Sequence, residues 1–316
     1  MNNLKKVGLS ALAGSLVAFS ANAGEMTVTG AAGIYMSAGN ELNKTTFSNS
    51  DHVTFSGSTE LDNGMTVTYS LQLDGDEADD GVIDNHSITI ATDGAGTFIY
   101  AGHGGDSAMS GMDDKTPNAY EEAWDSLTQT GTDSVINGYS GNDLIRYESP
   151  SMGGAQVIAT LMPTDASHQG GNYNDFGIVV KPEMVEGLEI GYAYGETEVT
   201  AGTPIDDSTM YVKYAYGPVT VGYQQSESDA TSATNSDESD TFGVSYQVTD
   251  DLSVSYNKHE YNDGAWTSDE EYTGVSASYT MGGITIAGHM NEVSNRGGDS
   301  TAADVEGYEL YLGFAF

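Results

Sequence analysis

The sequence predicts an all-β protein, a transmembrane antiparallel up-and-down β-barrel of about sixteen strands. Three observations favour this class. Apolar and polar residues alternate with period two over most of the chain. The connections between these segments are alternately short turns and long acidic loops. The sequence ends on "VEGYELYLGFAF", in which every second residue is apolar and needs a dry surface to face.

The first residues, "MNNLKKVGLSALAGSLVAFSANA", predict a cleaved Sec-type signal peptide over residues 1–23. Lys5 and Lys6 form its basic region, a run of small apolar residues follows, and "ANA" is a typical cleavage site. Residues 24–316 would then form the barrel of an exported protein. No later run of about eighteen apolar residues predicts a transmembrane helix, and this leaves strands as the candidate spanning elements.

The stretch "NGMTVTYSLQLDGD" illustrates the strand pattern. One face carries Met65, Val67, Tyr69, Leu71 and Leu73, and the residues between them are polar. Asn63-Gly64 before it is a strong hairpin signal. Other strand pairs meet at Gly217-Pro218, Asp250-Asp251 and Gly282-Gly283. Tight turns at one end and long loops at the other are typical of a closed membrane barrel.

A soluble β-sandwich or β-solenoid also shows alternation. A sandwich core needs Leu, Ile and Phe, whereas this chain has 20 Tyr and 40 Gly and is sparse in Leu. Many tyrosines lie near strand ends or in pairs such as Tyr192/Tyr194 and Tyr214/Tyr216, as interfacial girdles need. The other face is rich in Ser, Thr, Gly and Gln, which suits a wet lumen. The last strand can close on the first near Met26–Met36, and no edge then stays free.

Composition excludes several classes of function. The formal net charge of −38 argues against nucleic acid and against anionic lipid surfaces as direct partners. High charge is also typical of disorder, but the regular apolar pattern favours strands. The chain has no cysteine, its six histidines show no zinc spacing, and no catalytic or nucleotide-binding motif occurs. We therefore expect neither an enzyme nor a cofactor.

Metal binding is expected to be weak. The segment "DGDEADDGVIDN" resembles a calcium loop at Asp74 and Asp76, but Ala78 takes the third ligand position and Asn85 stands where a bidentate Glu is needed. Two alternatives stay open for the acidic loops. They could bind Ca²⁺ or Mg²⁺ loosely, or they could form a solvated acidic surface.

One long segment, residues 104–138, breaks the strand pattern. Thr116 is a candidate N-cap, Pro117 suits a first helical position, and Tyr120, Trp124 and Leu127 share one helical face. We predict a loop folded into the barrel, with a short helix packed on the inner wall. The carboxylates that would look into the pore are Glu121, Glu122 and Asp125. The alternative is an extracellular helix on a surface loop.

Strand parity predicts which basic residues face the lumen. If Ile145 and Tyr147 face lipid, Arg146 and Glu148 face inward, because the opposite register would place the arginine in hydrocarbon at roughly 2–4 kcal/mol. The same argument turns two lysines inward and puts a histidine near the root of the long loop: Lys181, Lys213 and His103.

The signal peptide, the alternating strands, the long third loop, "IRYESP" after it and the terminal Phe316 resemble the general porins of Gram-negative outer membranes. The resemblance covers essentially the whole mature chain, and "RYESP" resembles the R-Y-x-S-P that follows the constriction loop in that family. It implies an outer-membrane barrel of sixteen strands, usually a homotrimer, with the third loop inside as an eyelet. It also implies contact with outer-membrane lipid and lipopolysaccharide, and recognition of Phe316 by the barrel-insertion machinery.

By position, the resemblance assigns the eyelet acids to Asp113, Asp114, Glu121, Glu122 and Asp125, and the wall base to Arg146 beside Glu148. Family eyelets often carry several arginines and lysines, and this wall has few. We therefore expect a passive, water-filled channel for ions and small hydrophilic solutes that prefers cations. The alternatives are a substrate-specific channel and a plugged structural or adhesive barrel. Arg146 could also form only a lumenal salt bridge to Glu148, without effect on transport.

Overall fold

The computed structural model describes residues 26–40, 45–75, 82–125, 136, 138–163, 172–198, 204–230 and 236–316. The predicted signal peptide lies outside these residues, as do Asp76, Ala78 and Leu127. Within them the chain is mainly β-strand, with two short 3-10 turns at Ser110–Met112 and Arg296–Gly298. A helix with the length and apolarity of a membrane span is not found in this described part.

The described part of the chain has eighteen strands, and sixteen of them close into one antiparallel barrel, which confirms the predicted class and strand number. The strands are β1 (Met26–Gly39), β2 (Thr46–Glu60), β3 (Thr66–Asp74), β4 (Ile83–Thr92), β5 (Gly96–His103), β6 (Gly105–Asp106), β7 (Ser140–Gly141), β8 (Leu144–Glu148), β9 (Ala155–Met162), β10 (Tyr173–Val180), β11 (Leu188–Thr197), β12 (Ile205–Tyr216), β13 (Val219–Ala230), β14 (Asp237–Gln247), β15 (Leu252–Asn262), β16 (Glu270–Met281), β17 (Ile284–Ser294) and β18 (Val305–Ala315). Neighbours in the barrel follow chain order, with β5 beside β8 and β1 beside β18. β6 and β7 form a separate pair within the β5–β8 connection.

The seam between β1 and β18 closes the barrel. Tyr35 stands opposite Tyr311 in this antiparallel pair. Beyond the strand, the Phe316 amide donates to the Gly30 carbonyl at 2.8 Å, and the Gly30 amide donates back at 3.2 Å. Leu310 and Phe316 face outward, with 48% and 81% of their surface exposed. The predicted closure of the last strand on the first is confirmed, and its apolar face lies on the outside of the barrel.

Short turns lie at one end of the barrel, the turn end, and the longer connections lie at the other, the loop end. In the β2–β3 turn, Gly64 has a φ of +82°, and the Asn63 side chain accepts a hydrogen bond from the Met65 amide at 3.2 Å. Glycine enters this left-handed region without the steric penalty of a Cβ atom. Gly217 and Gly282 have positive φ in the β12–β13 and β16–β17 turns. The predicted hairpins therefore occur at their predicted turn residues.

The two faces of the barrel wall differ in chemistry. Along β10, burial alternates: Tyr173, Asp175 and Gly177 are buried and the residues between them are exposed. Large apolar side chains are exposed on the outside, among them Phe98, Ile145, Phe176, Val275, Ile286 and Leu310. Buried lumen-facing positions are often polar, among them Thr209, Gln224, Asn257 and Asn291. An apolar exterior with a polar interior is the pattern of a barrel that stands in hydrocarbon.

An acidic rim surrounds the loop end of β11–β18 on the outside. Its carboxylates stand directly opposite one another in the pairs Glu196/Asp206, Glu227/Glu238, Glu260/Glu271 and Glu292/Glu306. Outward tyrosines lie next to them: the Tyr308 hydroxyl donates to Glu306 at 2.6 Å. Lys258 is the one lysine or arginine among the described outward positions of these strands. Its ammonium lies 2.7 Å from Glu260. Like charges directly opposite in a sheet repel each other.

Candidate functional site in the barrel lumen

The connection between β5 and β8, residues 104–143, is here called the inner loop. It follows the inner wall from β9 to β18. Its amides donate in succession to wall side chains: Ala108 to Thr160, Met109 to Asp175, Lys115 to Gln224, Ala119 to Ser255 and Tyr120 to Ser276. Asn291 on β17 donates to the Glu122 and Asp125 carbonyls at 2.8 and 2.9 Å. The loop is therefore folded inward up to residue 125, and the alternative of an extracellular surface loop is wrong for this part.

The predicted short helix is wrong in the described part of the inner loop, because residues 113–125 contain no helix. Helical amides bond to carbonyls four residues earlier. Here the Ala119 and Tyr120 amides bond to wall serines at 3.0 and 3.2 Å, and the Pro117 carbonyl accepts from Asn257 at 3.3 Å. The wall thus satisfies backbone groups that a helix would have paired internally. Residues 126–135 lie outside the described part.

Two apolar clusters anchor the inner loop. Near its start, Met109 and Met112 are almost fully buried and pack with three wall residues, Ile158, Ala193 and Tyr211. Further along, Ala123 and Trp124 pack with Tyr272, Val293 and Val305. The prediction that Tyr120 and Trp124 pack on the inner wall is confirmed, since Tyr120 stacks on Tyr311 and the Trp124 ring lies 4.5 Å from the His259 ring.

Carboxylates are concentrated along the inner loop. The structure brings Glu121, Glu122 and Asp125 together, with an oxygen of each within 4.8 Å of the others. Asp125 also accepts a hydrogen bond from the Glu122 amide at 3.0 Å. Asp114, which precedes these acids in the inner loop, lies 3.7 Å from the Lys115 ammonium. Among the described residues, the Glu121 group is the one set of acidic or histidine side chains close enough to hold a metal ion, and its oxygens suit Ca²⁺ or Mg²⁺.

Burial and crowding raise the pKa of three of these carboxyls. Burial, helped by the neighbouring Asp114, raises the pKa of Asp113 to about 7. Burial and the nearby Asp125 raise the pKa of Glu121 to about 7. Burial and Asp125 also raise the pKa of Glu122 to about 8. Desolvation and like charges both disfavour the ionised form. The charge of the inner loop therefore changes within the neutral pH range.

Arg146 points into the lumen, as strand parity predicts, and its donors are engaged there. Nε donates to Glu148 Oε1 at 2.9 Å, and Nη2 lies 2.9 Å from the same oxygen. Nη1 donates to the Asp106 and Ser107 carbonyls at 3.1 and 3.0 Å. The guanidinium therefore holds the root of the inner loop. Its geometry is that of the lumenal salt bridge to Glu148, the alternative predicted for this residue.

The remaining basic candidates lie apart from the inner-loop acids. Lys181 and Lys213 share one partner near the turn end, with their ammonium groups 3.1 and 3.6 Å from Glu189. Glu189 also accepts from the Tyr211 hydroxyl at 2.8 Å. At the end of β5, His103 Nδ1 lies 2.5 Å from the Asp84 carbonyl oxygen. Within the described residues, none of these bases forms a salt bridge with an inner-loop carboxylate.

Hydroxyl and amide side chains line the wall that the inner loop leaves uncovered. On this wall, cross-strand register pairs Ser56 with Ser70, Thr54 with Gln72 and Thr68 with Thr89. Strands β1 to β4 contain no lysine or arginine. The cluster of wall bases that the family resemblance implies is therefore absent from these strands.

Sequence reasoning missed a lumenal tyrosine cluster, because it assigned tyrosines to outer girdles. Tyr35 and Tyr311 meet across the seam with ring centroids 4.8 Å apart. Tyr120 of the inner loop stacks on Tyr311 at 5.7 Å, and its hydroxyl donates to Glu309 at 2.9 Å. Strand parity could have revealed this cluster from the sequence. Tyr308 and Tyr311 are an odd number of residues apart on one strand, so if Tyr308 faces outward, Tyr311 faces the lumen.

Comparisons with known proteins agree with this architecture. The sequence profile of the Gram-negative porins matches residues 8–298. An anion-selective porin from Comamonas acidovorans is similar with a TM-score of 0.71 and 13% identity, over 92% of this chain and 99% of that one. OmpF of Salmonella typhi, in complex with daunomycin, has a TM-score of 0.71 and 11% identity, over 93% and 98%.

The trimer form of the Vibrio cholerae outer-membrane protein OmpT has a TM-score of 0.66 and 13% identity, over 93% of this chain and 100% of that one. No curated protein matches the sequence. At identities this low, the similarity to these solved structures shows a shared fold alone.

Proposed function

Because the chain belongs to the Gram-negative porin family, it is an outer-membrane β-barrel channel and not an enzyme, and we propose that it passes ions and small hydrophilic solutes with a preference for cations. The observation that carries this preference is the imbalance of charge in the lumen. The inner loop presents Asp113, Asp114, Glu121, Glu122 and Asp125. The described strands β1 to β4 of the opposite wall have no lysine or arginine to balance them.

Fixed charge in a narrow aqueous pore raises the local concentration of ions of the opposite sign. The lumenal bases offset the inner-loop acids only in part. Lys115 lies beside Asp114, Arg146 is paired with Glu148, and Lys181 and Lys213 share Glu189. The selectivity named for the Comamonas porin does not carry over, because that protein shares the fold at 13% identity.

The test is single-channel current in a planar bilayer under a potassium chloride gradient. Stepwise conductance with a cation-selective reversal potential supports the proposal. The Glu121→Gln/Glu122→Gln variant should lose part of that selectivity. The matched control is Glu227→Gln, which neutralises a carboxylate of the acidic rim and should leave the reversal potential unchanged. Anion selectivity of the unmodified protein would refute the charge argument.

The two alternatives predict different currents. A substrate-specific channel would show block of the ion current by its solute at low concentration. A plugged structural or adhesive barrel would show no conductance from folded protein.

For its assembly we propose a homo-oligomer, with a trimer as the first expectation. The exterior of β2 to β5 and β8 is apolar, with Phe47, Ile88, Phe98 and Ile145 at least two-fifths exposed. This face lies away from the acidic rim on β11–β18, so a second copy can approach it without like-charge repulsion. An Ile88→Glu variant should shift the oligomer to monomer in native electrophoresis. An unchanged oligomer would place the contact elsewhere.

We also propose that the acidic rim binds lipopolysaccharide through divalent cations. Carboxylates and lipid phosphates repel each other, and Ca²⁺ or Mg²⁺ binds oxygen ligands from both. Removing divalent cations with a chelator should lower the unfolding temperature of the protein in lipopolysaccharide and leave it unchanged in neutral detergent. Equal effects in both media would contradict the bridge.

A further inference from the structure

Four lumen-facing glycines lie beneath the inner loop: Gly177, Gly222, Gly243 and Gly274. None of them has a positive φ. Any L-residue can therefore adopt their extended backbone. Glycine weakens a strand interior and often marks a site where another backbone approaches closely. The requirement for glycine at these positions must come from the space above the strand.

The inner loop occupies that space. A Cβ atom on Gly222 would lie 2.6 Å from Pro117 Cδ and 3.3 Å from Thr116 Cα. On Gly243 it would lie 2.6 Å from Nδ2 of the wall residue Asn257, and 2.9 and 3.0 Å from Thr116 Cβ and Pro117 Cδ of the loop. Carbon atoms in ordinary contact are about 3.5–4.0 Å apart. Neither glycine can therefore take a side chain unless the loop moves.

The same relation holds at the other two strands. A Cβ atom on Gly274 would meet the Oδ1 atom of the wall residue Asn291 and would also lie 3.0 Å from Ala123 Cα of the inner loop. One on Gly177 would lie 2.7 Å from Met112 Cε. The methionine can adapt because its side chain is flexible. The Ala123 contact is with backbone, which cannot yield without displacement of the loop.

Hydrogen bonds hold the loop in register over these glycines. Lys115 donates to Gln224 at 2.7 Å, two residues along β13 from Gly222. Ala119 donates to Ser255 at 3.0 Å, and Asn257 donates to the Pro117 carbonyl at 3.3 Å. Because these contacts oppose sliding along the wall, a displaced segment has the channel axis as its open direction.

We propose that Gly222, Gly243 and Gly274 determine the width of the pore. They form a groove in the wall that receives the inner loop, and a side chain at any of them pushes the loop backbone toward the channel axis. They are positioning residues that act through the loop. The inference rests on the proposed function, since it assumes that the space beside the loop conducts.

The test measures single-channel conductance of Gly222→Ala and Gly222→Val. The Pro117 ring must retreat by about 1 Å to reach ordinary contact in the alanine variant, so we expect a fall on the order of a tenth there and a larger one for valine. Passage of larger polyethylene glycols should fall more steeply than that of small ones. The reversal potential in a salt gradient should not change, because no charge is altered. Heat-modifiable migration in electrophoresis verifies that each barrel is folded.

A second-site change separates the groove from a general defect. Pro117→Ala removes the Cδ atom that lies in the way, so it should restore conductance in the Gly222→Ala background more than it changes the parent, as a double-mutant cycle reveals. The control is Ser70→Val, which enlarges a side chain on the uncovered wall and should narrow the pore less than Gly222→Val does. Should Gly222→Val not fold, Gly222→Ala and Gly243→Ala carry the same test.

Unchanged conductance in folded Gly222→Val would overturn the inference, and so would failure of Pro117→Ala to restore it. An equal fall in Ser70→Val would overturn it as well. None of these results touches the proposed function, which fails only if the unmodified protein does not conduct or prefers anions.

Discussion

Cation selectivity should rise with pH across the neutral range. Asp113, Glu121 and Glu122 have pKa values raised to about 7, 7 and 8 by burial and by neighbouring carboxylates. A raised pKa keeps a carboxyl neutral below that pH and charged above it. At pH 6 each of the three is about nine-tenths protonated or more, and at pH 9 each is about nine-tenths ionised or more. The inner loop therefore gains close to three negative charges between these limits.

The size of the effect follows from Coulomb's law. A cation about 5 Å from three such charges gains roughly 2.5 kcal/mol in water, which screening at 0.1 M salt reduces to about 1.5 kcal/mol. This energy corresponds to roughly a tenfold rise in local cation concentration, with a matching fall for anions. The permeability ratio of cation to anion should accordingly rise by about tenfold or more.

The assay is the reversal potential under a fixed potassium chloride gradient at pH 6, 7, 8 and 9. The triple variant Asp113→Asn/Glu121→Gln/Glu122→Gln should keep low selectivity at all four values. Glu227→Gln on the outer rim should behave as the unmodified channel does. A reversal potential that stays constant from pH 6 to 9 in the unmodified channel would refute the reasoning.

Three further outcomes are expected. Trp124→Ala should weaken the packing that anchors the inner loop by about 3–5 kcal/mol. The unfolding temperature should fall and the single-channel current should become noisier. A current as quiet as that of the unmodified channel would show that another contact anchors the loop. Arg146→Met should leave Glu148 unpaired and make the channel more cation-selective in the reversal-potential assay, and a shift toward anions would contradict this charge balance. Deleting Phe316 removes two hydrogen bonds at the seam and the proposed signal for the insertion machinery. Folded protein in cells should then fall more than folding in detergent, and equal losses would assign the effect to the seam alone.

Strand parity made most of the barrel predictable from sequence. A residue on a strand has one of two faces, so the apolar pattern oriented Leu310 and Arg146 correctly without any knowledge of their neighbours. Turn residues such as Gly64 carried equally local information, since their backbone conformation favours glycine.

The inner loop was less predictable because its conformation depends on residues far away in the chain. The helix signals at Thr116 and Pro117 were genuine local preferences, yet Gln224 and Asn257 bond to that backbone from β13 and β15. The partners of the basic residues could not be read from one strand either. Glu189 pairs with Lys181 of the β10–β11 turn and with Lys213 of β12, and only the register of the barrel reveals this.

The seam between β1 and β18 has a consequence for the order of assembly. Its two strands lie at opposite ends of the described chain, so their pairing closes a far longer loop than any hairpin, and topologies rich in such distant contacts fold slowly. Until β18 arrives, the edge of β1 has unpaired backbone groups that hydrocarbon cannot satisfy. Membrane insertion and seam formation must therefore be coupled, and a chain stalled before β18 would stay exposed to proteolysis and aggregation. The unpaired edge of β1 is thus satisfied only in a chain in which all sixteen barrel strands have formed.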